Sequence, residues 1–167
     1  MALLAVTLCN CGGGDDPVPT PNPGPDPGPD PTPVEVKLEN LVGEWQLTSW
    51  TGADAFPGEG RAIYLKLDAS GNFTLYQKTI QVAGVVSYKG SFTLDVATAT
   101  VSGKYSDNEN WANSYVVSAI TSSTMNWTAV GTTEVSKFTR TQIPSEIIGS
   151  AQPAETGVRS AGDFRFL

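Results

Sequence analysis

Eight short runs of alternating apolar and polar residues, short Gly-, Asn-, Asp- and Ser-rich connections, and no long amphipathic helical pattern predict an all-β protein. The architecture they predict is an eight-stranded antiparallel up-and-down β-barrel, followed by a short helix and a C-terminal tail. Short connections favour hairpin-linked neighbours, and closure removes the exposed edges that make an open sheet of this size prone to aggregation.

The first run is Gly43–Trp50. The clearest hairpin joins Ala62–Asp68 to Asn72–Gln77 through Ala69-Ser70-Gly71, with Ile63, Leu65 and Leu67 on one face of the first arm and Phe73 and Leu75 on one face of the second. The remaining runs are Val85–Asp95, Thr98–Tyr105, Ser114–Ile120, Thr124–Val130 and Val135–Arg140, rich in the Thr, Val, Tyr, Trp and Phe that suit strands. Gly90 and Gly103 share the parity of their apolar neighbours; they mark either sharp bends of a barrel or weak turns. Pro144 to Gly149 carries the opening and stop of one or two helical turns. In the tail, the ending Asp163-Phe164-Arg165-Phe166-Leu167 predicts docking as a ninth strand, against the barrel, in its mouth, or on a partner's sheet edge.

The start of the chain has a different texture. An apolar run, Ala2 to Leu8, reaches Cys11, followed by three glycines, Asp15, Asp16 and a proline ladder. This order resembles the secretion signal of a bacterial lipoprotein, in which cleavage precedes a lipidated cysteine. Leu8, three residues before Cys11, fits the expected aliphatic position, and Asn10 stands where a small residue is expected; Cys9, with Val6 and Leu8, fits less well. The resemblance implies a membrane anchor at Cys11, several acyl chains including palmitate, and an outer-membrane location on the periplasmic or cell-surface face. Asp15 and Asp16 resemble the acidic patch that follows the lipidated cysteine in surface-exported Bacteroidetes lipoproteins. The expected organisation is a signal region at 1–11, a Pro/Gly/Asp-rich linker at 12–34, the barrel at 35–149 and the tail at 150–167. Prolines bias the linker to an extended spacer.

Composition narrows the function classes. The net charge of −7, with ten Lys plus Arg and no basic cluster, argues against nucleic acid, whose phosphates require a basic surface. With no histidine in the chain, a Ser-His-Asp triad, a Cys-His pair and histidine-based zinc sites are excluded. Two carboxylate pairs remain, Asp54 with Glu59 and Asp107 with Glu109, in polar loops where solvation is the default. Asp107-Asn108-Glu109 offers oxygen ligands but lacks the glycine and distal glutamate of a calcium loop. No catalytic residue, metal site or cofactor is therefore expected.

Three segments carry a family resemblance: Leu41-Val42-Gly43-Glu44-Trp45-Gln46-Leu47, the turn Asp68-Ala69-Ser70-Gly71-Asn72-Phe73-Thr74, and Lys137-Phe138-Thr139-Arg140. Together they resemble the lipocalin-like domains of Bacteroidetes lipoproteins, over roughly Glu35 to Gly149. The resemblance implies that Gly43 turns the chain into the barrel and that Trp45 plugs its closed end. It also implies non-enzymatic binding of a small ligand. An eight-stranded bore either is filled by its own side chains or holds one small ligand, and both stay open here. Inward candidates by parity are Leu65, Leu67, Phe73, Leu75, Phe92, Leu94, Val117 and Trp127; if they line a pocket, its ligand is apolar. A second reading places Trp50, Tyr105 and Trp111 as a glycan-stacking platform beside the polar residues 106–110, and a third is a filled barrel serving as a structural subunit of an outer-membrane complex.

Overall fold

The computed structural model describes residues 32–52, 58, 60–79, 84–154 and 165–167. Cys9, Cys11 and the apolar run before them, the acidic pair Asp15 and Asp16, the linker up to residue 31, Asp54, Glu59, Asp163 and Phe164 lie outside the described residues.

The barrel strands are β1 (Gly43–Trp50), β2 (Ala62–Leu67), β3 (Asn72–Lys78), β4 (Val85–Asp95), β5 (Thr100–Tyr105), β6 (Tyr115–Ser118), β7 (Thr124–Ala129) and β8 (Val135–Arg140). Each pairs antiparallel with its sequence neighbour, and β1 pairs antiparallel with β8, so the sheet closes on itself. The all-β, up-and-down barrel read from the sequence is the observed fold. A one-turn helix α1 (Leu38–Leu41) precedes β1, and α2 (Ser145–Ser150) follows β8.

Alternation and turn chemistry together set the register. In the β2–β3 hairpin Leu65 faces Leu75 and Leu67 faces Phe73, all four buried. The turn is held by Asp68, whose Oδ1 accepts the backbone N–H groups of Ser70 at 2.8 Å and Asn72 at 2.9 Å, while Gly71 takes a φ of +77°. Strand β4 changes partner partway along: its first half pairs with β3, its second with β5, and the two ladders overlap at Gly90 and Ser91. A Cβ on Gly90 would run into the main-chain oxygen of Lys104 and the Phe73 ring, so the bend here requires glycine.

Because β5 reaches β4 only from Gly90 onward, the first half of β4 keeps a free edge. A short parallel strand, β9 (Ala151–Pro153), fills it, pairing with Val85–Ser87. A ninth strand is thus present at the start of the tail. Of the Phe-Arg-Phe ending, Arg165, Phe166 and Leu167 are described and pair with no strand, yet Phe166 and Leu167 are buried.

One end of the barrel is sealed by Trp45 and Arg140, which face each other across β1 and β8. Trp45 is fully buried and donates its indole N–H to the Leu41 carbonyl at 2.8 Å, tying α1 over the opening. The Arg140 guanidinium lies 4.1 Å from the centroid of the Trp45 ring and donates to the carbonyls of Val42 at 2.8 Å, Asn40 at 2.9 Å and Ser122 at 2.9 Å. Gly43 passes under this guanidinium with a φ of +141°, and a Cβ there would collide with it.

Arg140→Ala loses three hydrogen bonds to main-chain carbonyls and a cation–π contact, and should cost about 2–4 kcal/mol in urea unfolding. Arg140→Lys should recover little of that, since an ammonium lacks the planar fork that reaches three carbonyls. Acid should destabilise the fold through Glu44, Asp68 and Asp95. Glu44 accepts the Ile143 backbone N–H and pairs with Lys66, and the other two accept backbone and side-chain donors in their turns; these contacts hold all three below their ordinary pKa. Their stabilisation is therefore present above the unfolded-state values and lost as pH falls through the lower folded ones. The melting temperature should be flat from pH 7 to 5 and fall below about pH 4.

Candidate functional site

The end opposite Trp45 is built from the finishing residues of β1, β3, β5 and β7 and the starting residues of β4, β6 and β8. Alternation turns Gln77, Tyr88, Tyr105, Tyr115 and Ser136 inward there, and all five are buried. Gln77 and Ser136 are polar residues at core-facing positions, an arrangement tolerated only where a hydrogen-bonding partner is at hand.

Gln77 finds such a partner in the chain itself. Residues 165–167 enter the mouth of the barrel. Phe166 packs edge-on against Trp50, with ring centroids 5.3 Å apart, and against Phe138 at 6.3 Å; Leu167 is almost fully buried. Their main chain is held as well. The Phe166 N–H donates to Gln77 Oε1 at 3.1 Å, and the Tyr105 hydroxyl donates to the main-chain oxygen of Leu167 at 2.6 Å. Tyr115 makes a longer contact, 3.5 Å, to the Phe166 carbonyl.

Arg165 turns the other way and pairs with Asp107 at 2.7 Å, its guanidinium 4.7 Å from the Tyr105 ring centroid and 5.3 Å from that of Tyr88. That bond holds the Asp107 carboxyl below its ordinary pKa. Burial pushes the Tyr105 hydroxyl well above the usual phenol range, which keeps it a donor at every physiological pH.

Small clefts lie on both sides of this segment. One, about 200 Å³, is lined by Tyr88, Tyr105, Asp107 and Arg165; the other, about 110 Å³, by Trp50, Tyr115, Ser136 and Phe166. Each is smaller than a usual ligand pocket of about 300 Å³ or more. A third, open groove of about 500 Å³ runs along the outer wall where β5 and β6 diverge, lined by hydroxyl and amide side chains such as Ser91, Thr93, Ser102, Asn110 and Asn113.

Of the inward residues read from parity, Leu65, Leu67, Phe73, Leu75, Phe92, Val117 and Trp127 are buried in one continuous core, and Leu94 is half-buried against it. Trp127 touches Trp111, Tyr115 and Phe138 at centroid distances of 6.0, 5.6 and 5.3 Å. Those faces are occupied by other side chains. The implied plug residues, Gly43 and Trp45, sit at the sealed end.

Trp50, Tyr105 and Trp111 do gather near one end, but as wall and not as an exposed stacking platform. Tyr105 and Trp111 are 4% and 6% exposed, and Trp50 is half-buried against Phe166. Only Thr100 and Val101 of β5 pair with β6, and the chain beyond folds Trp111 inward through the gap, its N–H bonded to the Gly103 carbonyl at 2.9 Å. The indole lies flat on Gly103, where any Cβ would strike the ring.

Among the described residues no cluster of three or more Asp, Glu, Cys or His could hold a metal ion. Within the pair Asp107 and Glu109, Asp107 is engaged by Arg165 and by the backbone N–H of Glu109. Sequence reasoning missed Gln77, Tyr88 and Tyr115. Gln77 was visible as a polar residue on the parity of Phe73 and Leu75.

The packing of Trp111 on Gly103 predicts that Gly103→Ala expels the indole, with a red shift in tryptophan emission and a loss of about 2–3 kcal/mol in urea unfolding. Removing Asp107 tests the ion pair. Asp107→Asn should speed hydrogen exchange at residues 165–167 while leaving the β2–β3 hairpin protected, because the lost contact is confined to the mouth.

The fold agrees with what is known of related sequences. Searches of curated proteins and of solved structures returned no significant match to the chain. The family model of the lipocalin-like domain matches residues 41–127, from the end of α1 to Trp127 in β7, which is more than half of the chain. With its closed eight-stranded barrel, Gly43-Glu44-Trp45 entry and sealed end, this chain belongs to the lipocalin-like domain family.

Proposed function

We propose that this protein is a lipid-tethered, non-enzymatic binder of a small, largely apolar ligand, and that its binding place is the barrel end now filled by residues 165–167. The observation that carries the reading is the chemistry of that end. An aromatic chamber made by Trp50, Tyr115 and Phe138 presents a few convergent polar atoms, which is the usual composition of a small-molecule site. Its present occupant is the right kind of object, two apolar side chains on a hydrogen-bonding frame. Binding, not chemistry, is what the lipocalin-like fold generally serves, and fold-level analogy supports the reading to that extent.

The tether is argued from the sequence: an apolar run, Cys11 and a proline-rich spacer follow one another in the order a lipoprotein requires. Several acyl chains on Cys11 would hold the protein stably on the outer membrane of a Bacteroidetes-type bacterium, with the barrel on the periplasmic or cell-surface side.

Native mass spectrometry of the chain, purified gently from its own host, tests the binding. A retained small molecule is expected once Phe166→Ala and Leu167→Ala vacate the mouth; a bare polypeptide mass of that variant, persisting after incubation with envelope lipids and hydrophobic metabolites, would refute it. Labelling with an alkyne analogue of palmitate tests the tether: the wild type should label and Cys11→Ser should not, whereas an unlabelled wild type would remove the anchor.

A further inference from the structure

Residues 165–167 are seated in the barrel end as a bound peptide would be. Specific contacts hold both their backbone and their side chains. Gln77 Oε1 takes the Phe166 N–H and the Tyr105 hydroxyl gives to the Leu167 oxygen. Phe166 and Leu167 fill the apolar chamber while Arg165, on the opposite side, reaches Asp107 across the faces of Tyr88 and Tyr105. We infer that the barrel end is a peptide-recognition site for a basic–aromatic–aliphatic segment, supplied in cis by Arg165-Phe166-Leu167 and open to the same pattern from another polypeptide when that segment leaves.

The inference rests on the binding place proposed above and names the class of ligand it selects. A plain hydrocarbon would fill the chamber but forgo both main-chain bonds, which are made by residues that are each 4% exposed. It would also leave Asp107 without the cation it now holds in a partly buried position. A peptide segment supplies the donor, the acceptor and the cation together. Arg165 and Phe166 are directed apart, the guanidinium to Asp107 and the ring to Trp50 and Phe138.

The cis segment competes at high effective concentration, because it belongs to the same chain. The site should therefore look closed in the intact protein and open once the segment's anchors are removed. The full-length chain carrying Phe166→Ala and Leu167→Ala, with an intact β-sheet circular dichroism spectrum, would be titrated with a fluorescent peptide of residues 162–167 and followed by anisotropy. The variant should bind at least tenfold more tightly than the wild type, and adding Tyr105→Phe to it should weaken binding by about fivefold for the lost hydrogen bond.

A folded variant that does not bind the peptide overturns the inference, and so does equal binding by wild type and variant. The probe 1-anilinonaphthalene-8-sulfonate separates the two claims. Binding of the probe without the peptide leaves the apolar site standing and removes its peptide selectivity; binding of neither removes both. If the double variant fails to fold, the wild type decides. Millimolar unlabelled peptide should speed hydrogen exchange at Phe166 and Leu167 without changing the barrel strands, and an unchanged rate at those two amides would refute the site.

Discussion

The narrow bore of an eight-stranded barrel is the constraint on which the rest of this structure depends. Such a bore is just wide enough for side chains to fill. Here Trp127, Trp111, Phe73 and Phe138 fill it, in contact with Tyr105 and Tyr115 nearer the mouth. Rings that meet at centroid distances between 5.1 and 6.0 Å spend their faces on one another. Binding is thereby pushed from the centre of the barrel to its ends and walls.

The two ends solve the same problem differently. At one, Trp45 and Arg140 seal the barrel with groups fixed in β1 and β8, and Arg140 satisfies carbonyls of the entering chain and of the β6–β7 turn. At the other, the seal comes from residues distant in sequence, held by one ion pair, two good hydrogen bonds and edge-on rings. A seal that belongs to the strands opens only when the barrel does. One made by a separate segment can leave while the strands stay paired, and low-stability elements of that kind are where ligand exchange is usually found.

Strand positions were legible because period-2 alternation and turn chemistry are local. Asp68, Gly71 and Asn72 announce their hairpin, and the observed β1, β4 and β8 coincide with the runs read from sequence. The open β5–β6 seam was not legible. Nothing near Asp107-Asn108-Glu109-Asn110 marks Trp111 as buried, since its place depends on a missing side chain at Gly103, on a different element. Parallel β9 was hidden for a similar reason, its partner being an edge that exists only because β4 changes neighbours at Gly90. The tail's apolar ending pointed to docking, but the groups that receive it, Gln77 and Tyr105, lie 89 and 62 residues away in sequence.

Residues 165–167 must occupy the barrel end in solution for the mouth to be sealed as described. A nuclear Overhauser spectrum of the full-length chain reads this directly through the Phe166 ring. Cross-peaks from that ring to the Trp50 indole and the Phe138 ring, with the Leu167 methyl groups shifted by nearby aromatics, are the expected result. Sharp, random-coil resonances for Phe166 and Leu167 with no cross-peaks to the barrel would contradict it.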